Sequence, residues 1–278
     1  MKMEDEIRRH CKGLLSEKKI DVIWGLREKD GFVAPYLFQN PEELDSLVVS
    51  SKYPLSFTCR PSKETILSIL QKKKPGLKIG VIARGCDERA LIELAKSEQI
   101  NLDLIEIIGF ACDREQAQEC VCFKPFPQNL KFGTKVEGIA EEKAFQDLMA
   151  TELKGRLKFW HDQLSKCIKC YGCRNACPMC FCKDCRMEQS VYTETGWLPP
   201  EFPLFQFVRF YHMADRCIEC GECEKACPMD IPLRKITKYL RSKMKEIFGY
   251  QAGLDPKQKS PILTTLDEDP LKEFQDEI

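Results

Sequence analysis

The chain has 278 residues, and its 43 Lys and Arg side chains balance 43 Asp and Glu side chains. This balance gives no global field that would favour nucleic acid as a partner. The longest apolar runs, around Ile79–Ala83 and Leu104–Cys112, are far too short to span a bilayer. Residues 1–19 mix acids and bases, unlike a targeting peptide. With 17 cysteines, these features predict a cytoplasmic protein from a reducing, anaerobic setting, with one or two domains.

Residues 1–136 are predicted to form an α/β domain with a short parallel or mixed sheet. Residues 1–19 have the apolar spacing of an amphipathic helix. Strands are predicted at Ile20–Trp24 and Phe32–Phe38, joined by a turn at Gly31. Two further helices are predicted, at Pro41–Val49 and Ser62–Lys72.

A βαβ unit is the clearest tertiary signal in this half. Leu77–Ala83 and Leu102–Ala111 have the composition of buried strands, and Asp87–Ser97 between them is helical in pattern, with Asp87 as the expected N-cap. Such a unit requires parallel pairing, and open α/β sheets bind ligands at the carboxyl ends of their strands. The strand-to-helix turn lacks a G-x-G-x-x-G fingerprint, which weakens a nicotinamide assignment. Residues 113–137 are expected to be irregular.

Residues 137–250 are predicted to form an α+β dicluster ferredoxin-like domain with flanking helices, and 251–278 a polar tail. One long entry helix is expected over Glu137–Gln163. Its apolar stripe consists of Phe145, Leu148, Leu153, Leu157 and Trp160. Gly196–Pro200 is expected to be a loop within an insertion, followed by helices at Leu204–Met213 and Leu233–Phe248.

A cysteine motif occurs twice, at Cys167–Met179 and Cys217–Met229. Both copies have the C-x₂-C-x₂-C-x₃-C-P spacing that binds cubane iron–sulfur clusters, in which the fourth cysteine of each copy ligates the other cluster. The expected ligands of cluster I are Cys167, Cys170, Cys173 and Cys227. Those of cluster II are Cys217, Cys220, Cys223 and Cys177. Structural zinc is the main alternative, but its cysteines usually come as two separated pairs. Disulfides would imply secretion, for which there is no signal.

Three further cysteines, Cys180, Cys182 and Cys185, follow the first copy and have no counterpart in the second. They suggest a third cluster that lacks one ligand. We expect Cys86, in the turn of the βαβ unit, to be the fourth, with Cys120 and Cys122 as alternatives; a partner or a non-cysteine group also remains open. Zinc is a serious alternative here. Cys11 and Cys59 are expected to be ordinary buried thiols, and Cys112 is left unassigned.

The two cysteine motifs can be compared position by position. One pair of equivalent residues differs in charge, and another pair is apolar in both motifs. Lys169 corresponds to Glu219, and opposite charges there would shift the potentials of the two clusters apart, but we expect both side chains to be solvated and inert. Ile168 and Ile218 are expected to cover the clusters. Of the histidines, His161 and His212 lie near the cysteine runs and are expected to be packed helix residues. Arg84, Asp87, Glu88 and Arg89 could bind an anion, but a salt-bridged turn is the simpler expectation.

Several segments together resemble the formate dehydrogenase beta subunits and coenzyme F420 hydrogenase/dehydrogenase beta-like proteins of anaerobes. These segments are Arg84–Leu91, Phe159–Arg174, Cys177–Cys185, Arg216–Leu233 and Phe248–Gly253. The resemblance implies an electron-transfer subunit between a dehydrogenase or reductase and a flavin-containing heterodisulfide-reductase-like module. Some relatives also bind FAD and reduce F420, but the short α/β region here has no flavin or phosphate loop, so FAD is not favoured.

The sequence therefore predicts an iron–sulfur relay subunit of an oxidoreductase complex, not catalytic alone, with two [4Fe-4S] clusters and a third proposed. One alternative is an oxidoreductase with its own flavin or F420 site, which uses the clusters as an outlet. A zinc-binding adaptor is the third possibility. Neither a nucleophile–base pair nor paired carboxylates stand out as catalytic residues.

Overall fold

The computed structural model describes residues 3–50, 58–59, 64–182, 184–191, 193–194, 197–198 and 204–262. Some of the predicted features lie outside the described part. They are the side chain of Cys59, the start of the helix expected at Ser62, most of the loop expected at Gly196–Pro200, and residues 263–278.

The N-terminal elements form as the sequence pattern predicts. Helix α1 (Met3–Ser16) buries Ile7, Cys11 and Leu15. Strands β1 (Val22–Lys29) and β2 (Phe32–Phe38) pair antiparallel, and Asp30 and Gly31 both have positive φ in the turn between them. Two such residues match the right-handed twist of a hairpin. The fourth expected element, a helix at Pro41–Val49, is only partly correct: a 3₁₀ helix covers Pro41–Ser46, and Leu47–Val48 forms β3 instead.

A mixed six-stranded sheet is the centre of this half. The remaining elements are β4 (Thr58–Cys59), β5 (Glu64–Thr65), α2 (Ile66–Lys73), β6 (Ile79–Ala83), α3 (Gly85–Lys96), a 3₁₀ turn at Leu102–Leu104, β7 (Ile105–Phe110), α4 (Arg114–Glu119) and β8 (Leu130–Phe132). The strand order is β2-β1-β6-β7-β8, with β3 also paired to β1. Strands β1, β6, β7 and β8 are parallel, whereas β2 and β3 run antiparallel to β1. The predicted α/β class with a mixed sheet is therefore confirmed.

The predicted N-cap of α3 is wrong by one turn. The helix begins at Gly85 with Arg84 as its N-cap, and Asp87 occupies the third helical position. The Asp87 carboxylate accepts a hydrogen bond from the backbone N–H of Arg84 at 2.9 Å and pairs with its guanidinium at 2.8 Å. Asp87 thus satisfies an orphan donor at the helix start from within the helix. The predicted salt-bridged turn is confirmed.

The regular elements described in the second half are all helices. Its elements are a 3₁₀ turn at Glu141–Ala144, α5 (Gln146–Met149), α6 (Leu153–Leu164), α7 (Gly172–Asn175), a 3₁₀ turn at Arg186–Glu188, α8 (Leu204–Met213), α9 (Glu222–Lys225) and α10 (Leu233–Phe248). No strand occurs in the described residues from 137 to 262, so the α+β expectation for this part is wrong. Each cysteine run forms a loop and a one-turn helix. The backbone N–H and C=O groups bonded within these turns are not free to pair with a neighbouring strand.

The long helix expected over Glu137–Gln163 is also wrong, because the chain turns after α5. The Thr151 hydroxyl donates to the carbonyl of Leu148 at 2.7 Å, and α6 starts two residues later. Phe145 packs on α10, with its ring 5.5 Å from that of Tyr239, whereas Leu153 and Leu157 are 73% and 61% exposed. An apolar stripe that runs across a break in a helix does not define one buried face.

Both halves share a hydrophobic core. Met179, Met213 and Ile218 of the cysteine-rich half belong to the same buried cluster as the side chains of β6 and α3. Beyond α10, Tyr250 is buried, and its hydroxyl accepts a hydrogen bond from Lys96 at 2.7 Å. Gly253, at φ +75°, passes within contact distance of Arg89, where a Cβ atom would lie 2.4 Å from the Arg89 Cβ. The first part of the predicted tail therefore packs on α3. Among the described residues, no helix has the length and apolar character that a membrane crossing requires.

Candidate metal centre

The two cysteine loops have the same backbone path. Lys169 and Tyr171 in the first loop have φ of 50° and 59°, and Glu219 and Gly221 at the equivalent positions of the second have 60° and 77°. Three of the four are not glycine, which makes this left-handed backbone uncommon. It turns amide groups towards sulfur: Lys169 N lies 3.4 Å from the Cys167 Sγ, and Gly172 N lies 3.4 Å from the Cys170 Sγ. Such N–H donors stabilise metal-bound thiolates.

All four predicted ligands of cluster I line one cavity between the loops, α8 and α10. They are Cys167, Cys170, Cys173 and Cys227. Apolar side chains, including Phe205, Phe210 and Ile231, line the rest of it. The two cysteine runs meet closely here, because a Cβ atom on Gly172 would lie 2.6 Å from the carbonyl oxygen of Ala226. Cys227 of the second run thus reaches the three cysteines of the first, as the crossed pairing requires.

The four predicted ligands of cluster II lie close enough together inside the protein for their charges to affect one another. Burial raises the pKa values of the Cys217, Cys220 and Cys223 thiols, and negative charge on Cys177 raises all three further. Cys223 also lines the cavity of the first set, so the two sets are adjacent.

Structural zinc is the main alternative to a cluster at these cysteines. Tetrahedral zinc at a Zn–S distance of about 2.3 Å brings its sulfurs within about 3.8 Å of one another. Within the described part of the chain, no three His, Cys, Asp or Glu side chains are grouped closely enough to hold a single metal ion.

The three cysteines that follow the first run, Cys180, Cys182 and Cys185, are called the third set. They line a second cavity, together with Asp184, His212 and Asp215. Arg209 lies between this cavity and the first: its guanidinium donates to the Cys180 Sγ at 2.9 Å and to the carbonyl of Cys173 at 2.9 Å. Arg209 is buried, and although burial alone would lower its pKa, the charges of Cys180, Cys177 and Cys173 hold it well above the usual value. Met213 also bridges the sets, with its sulfur 3.8 Å from the Cys177 Sγ and 4.0 Å from the Cys180 Sγ.

The structure does not bring Cys86 to Cys180, Cys182 and Cys185. Cys86 lines a third cavity instead, and so do the two alternatives, Cys120 and Cys122. Cys112, which the sequence reasoning left unassigned, lines it as well, next to Cys220 of the second run. A signal for Cys112 was available, because it follows the second strand of the βαβ unit, whose carboxyl end adjoins that of the first. His212, expected to be only a packed helix residue, lines the cavity of the third set.

The expectation that Glu219 is solvated and inert is wrong. Its side chain is 0% exposed and lies 3.1 Å from Lys238 Nζ and 3.3 Å from Arg241 Nε, both of which are 1% exposed. Burial alone would raise the pKa of Glu219, but Arg241, Lys238 and Arg89 together lower it. Arg241 also pairs with Glu141 at 3.1 Å. A buried carboxylate thus lies between two predicted ligands of cluster II.

The equivalent residue of the first loop is in a different environment. Lys169 is partly exposed, donates to the carbonyl of Glu194 at 2.8 Å, and lies 5.7 Å from the centre of the Phe205 ring. The flanking isoleucines differ too, since Ile218 is buried, as expected of a cluster cover, whereas Ile168 is exposed. The two halves of the duplication therefore have different surroundings.

Comparison with known proteins places this site among iron–sulfur proteins. The family described as "4Fe-4S dicluster domain" matches residues 163–231. The chain is similar to the F420-dependent formate dehydrogenase 1 subunit beta of Methanococcus maripaludis, with 43% identity over 133 residues, which are 47% of this chain and 34% of that protein. It is also similar to the F420-dependent formate dehydrogenase subunit beta of Methanocaldococcus jannaschii, with 40% identity over 134 residues, 48% of this chain and 35% of that one.

These matches confirm the resemblance and the iron–sulfur character inferred from the motifs. They span about a third of the length of each curated relative.

Proposed function

We propose that this chain relays single electrons through [4Fe-4S] clusters within a redox complex. The observation that carries the proposal is the adjacency of the predicted ligand sets: Cys223 of the second lines the cavity of the first. Arg209 and Met213 each contact a cysteine of the first run and Cys180 of the third set. Because electron transfer slows steeply with distance, centres this close form a conducting path.

Formate dehydrogenase beta subunits among the relatives suggest the place of this relay. We propose that its donor or acceptor is a dehydrogenase or reductase subunit, and that the other end contacts a flavin-containing heterodisulfide-reductase-like module. Cys167, Cys170, Cys173 and Cys227 would hold cluster I, and Cys177, Cys217, Cys220 and Cys223 would hold cluster II. Cys180, Cys182 and Cys185 would hold a third, with a fourth ligand from a partner or from His212, which lines the same cavity.

An oxidoreductase with its own flavin or F420 site is the second candidate, favoured by the words "F420-dependent" in the names of both relatives. Against it, the carboxyl ends of β6 and β7, where an open α/β sheet binds its ligands, are lined by Cys86 and Cys112 and adjoin Cys220. A cluster of thiols at this edge is typical of an iron–sulfur site, which supports the relay.

The test is the content of iron, acid-labile sulfide, zinc and flavin per chain in protein purified without oxygen. The relay predicts at least about eight irons, matching sulfide and no flavin. Substitution of Cys170→Ala at the exposed ligand of cluster I should remove about four irons. One flavin per chain would assign a catalytic step to this subunit, and zinc without iron would refute both candidates.

A further inference from the structure

We propose that Cys86, Cys112, Cys120 and Cys122 together ligate an additional [4Fe-4S] cluster in the α/β half of the protein. These four thiols line one cavity at the carboxyl ends of β6 and β7. The proposal extends the relay proposed above. The experiment that tests it measures the iron bound at this site separately from the iron bound at clusters I and II.

The topology of the sheet brings the first two cysteines together. Strand β6 ends at Ala83 and α3 begins at Gly85, so Cys86 lies in the first turn of the helix. Strand β7 runs parallel to β6 with Ala83 opposite Gly109, and Cys112 follows two residues after its end. Adjacent parallel strands therefore deliver both thiols to the same edge of the sheet.

The loop that carries the other two cysteines is held against this edge. A Cβ atom on Gly85 would lie 2.6 Å from the carbonyl oxygen of Lys124 and 2.7 Å from that of Phe126, so only glycine permits this approach. Cys112 N–H donates to the carbonyl of Pro125 at 2.9 Å. The segment after Cys122 is thus fixed next to both Cys86 and Cys112.

Val121, between Cys120 and Cys122, has a left-handed backbone with φ of 46°. A β-branched residue with positive φ is an outlier, and such strain persists where the surroundings impose it and is concentrated at functional sites. The residues between the ligands of the two ferredoxin-type loops have the same backbone conformation. At Val121 it lets two cysteines only one residue apart line a single cavity.

Two buried side chains direct N–H groups towards these sulfurs. Gln116 Nε2 lies 3.1 Å from the Cys120 Sγ, and Arg89 Nη2 lies 3.9 Å from the Cys122 Sγ. Gln116 and Arg89 are both almost fully buried, as is Arg84 at the edge of the cavity. Ordinary buried thiols need no such donors, whereas the sulfurs of an anionic cluster accept hydrogen bonds and are stabilised by nearby cations.

The cavity adjoins cluster II. Cys220 and Glu219 of the second loop line it. Arg89 connects the two sites, because its guanidinium also donates to the carbonyl of Ile218 at 3.2 Å. A cluster here would thus be the centre of the relay within the α/β half, one step beyond cluster II.

Single substitutions of the full chain test the proposal, with iron and sulfide counted and the reduced protein examined by electron paramagnetic resonance. Cys112→Ala and Cys120→Ala should each remove about four irons per chain and the same signal. Cys86→Ala should remove that signal too, and the Cys86→Ala/Cys112→Ala double variant should lose no more iron than either single variant. Cys11→Ala, at a fully buried thiol of α1, is the matched control and should lose none.

Other results would overturn the inference. Unchanged iron in Cys112→Ala and Cys120→Ala would refute it, as would zinc lost in place of iron. It would also be refuted if Cys86→Ala removed the same signal as Cys182→Ala, because Cys86 would then belong to the third set. If an alanine variant misfolds by circular dichroism, Cys120→Ser replaces it: an oxygen ligand should shift the g values of this cluster, and unaltered g values would refute the site. Loss of four irons in Cys170→Ala but none in Cys112→Ala would leave the relay intact and refute only this cluster.

Discussion

Neutralising Glu219 is expected to raise the reduction potential of cluster II. Its carboxylate is fully buried beside Cys220 and faces Lys238 at 3.1 Å and Arg241 at 3.3 Å. Reduction adds negative charge to the cluster, so a neighbouring carboxylate opposes it. In Glu219→Gln this opposition disappears, and the two cations, no longer neutralised, act in the same direction.

The size of the shift follows from Coulomb's law. A unit charge roughly 8 Å from the cluster centre contributes about 2 kcal/mol at an effective dielectric constant of about 20. For a one-electron couple this corresponds to about 90 mV, and relaxation of the ion network lowers the expected shift to about 50–90 mV. Leaving the buried cations without their partner should also lower the free energy of unfolding by about 3 kcal/mol or more.

The assay is a redox titration followed by electron paramagnetic resonance, in which clusters I and II are resolved by their ligand variants. The matched control is Lys169→Gln at the equivalent position of the first loop. It should lower the potential of cluster I by a smaller amount, because Lys169 is partly exposed and water screens its charge. An unchanged potential of cluster II in Glu219→Gln, with four irons retained at that site, would refute the reasoning.

Three further predictions concern other parts of the site. Arg209→Gln removes the buried cation 2.9 Å from the Cys180 sulfur and should lower the potential of the third cluster by about 50–100 mV. Arg209→Lys keeps the charge and should lower the potential less. Equal shifts of the two variants in a redox titration would contradict the charge argument. Gly172→Ala places a methyl group 2.6 Å from the Ala226 carbonyl oxygen and should push the two cysteine loops apart. Both clusters should then lose iron. The control is Gly155→Ala, where the nearest atom is 3.6 Å away and the iron should be retained. Burial raises the pKa of Cys11 to about 12, above its unfolded value near 9. Its contribution to stability is therefore complete below about pH 9 and falls as the pH rises towards 12, and iodoacetamide at pH 8 should label Cys11 only after denaturation.

The features that the sequence predicted well are local ones. Spacing within eleven residues determines which cysteines can share a loop, and Cys167, Cys170 and Cys173 line one cavity. The amphipathic pattern of α1 and the turn at Asp30 and Gly31 are equally local.

The features that it missed depend on contacts between distant segments. Cys86 and Cys112 meet because β6 and β7 are adjacent and parallel, and no periodicity encodes that register. The environment of Glu219 is set by α10, which presents Lys238 and Arg241 one turn apart on a buried face. A sequence pattern shows that two cations share a helix face, but it does not show which carboxylate they enclose.

The internal duplication lets the protein distinguish two clusters that have the same ligands. Both loops place a charged residue with a left-handed backbone directly before the second cysteine, Lys169 in one and Glu219 in the other. A cation favours the reduced cluster and an anion the oxidised one, so this pair alone would make cluster I the better electron acceptor. Arg209, adjacent to Cys173, acts in the same direction at cluster I, whereas at cluster II Lys238 and Arg241 oppose the Glu219 charge and Arg241 also pairs with Glu141. In the proposed relay, side chains around the clusters would therefore help to set which cluster is reduced more readily, and exchanging the charges at positions 169 and 219 should reduce or reverse the difference between the two potentials.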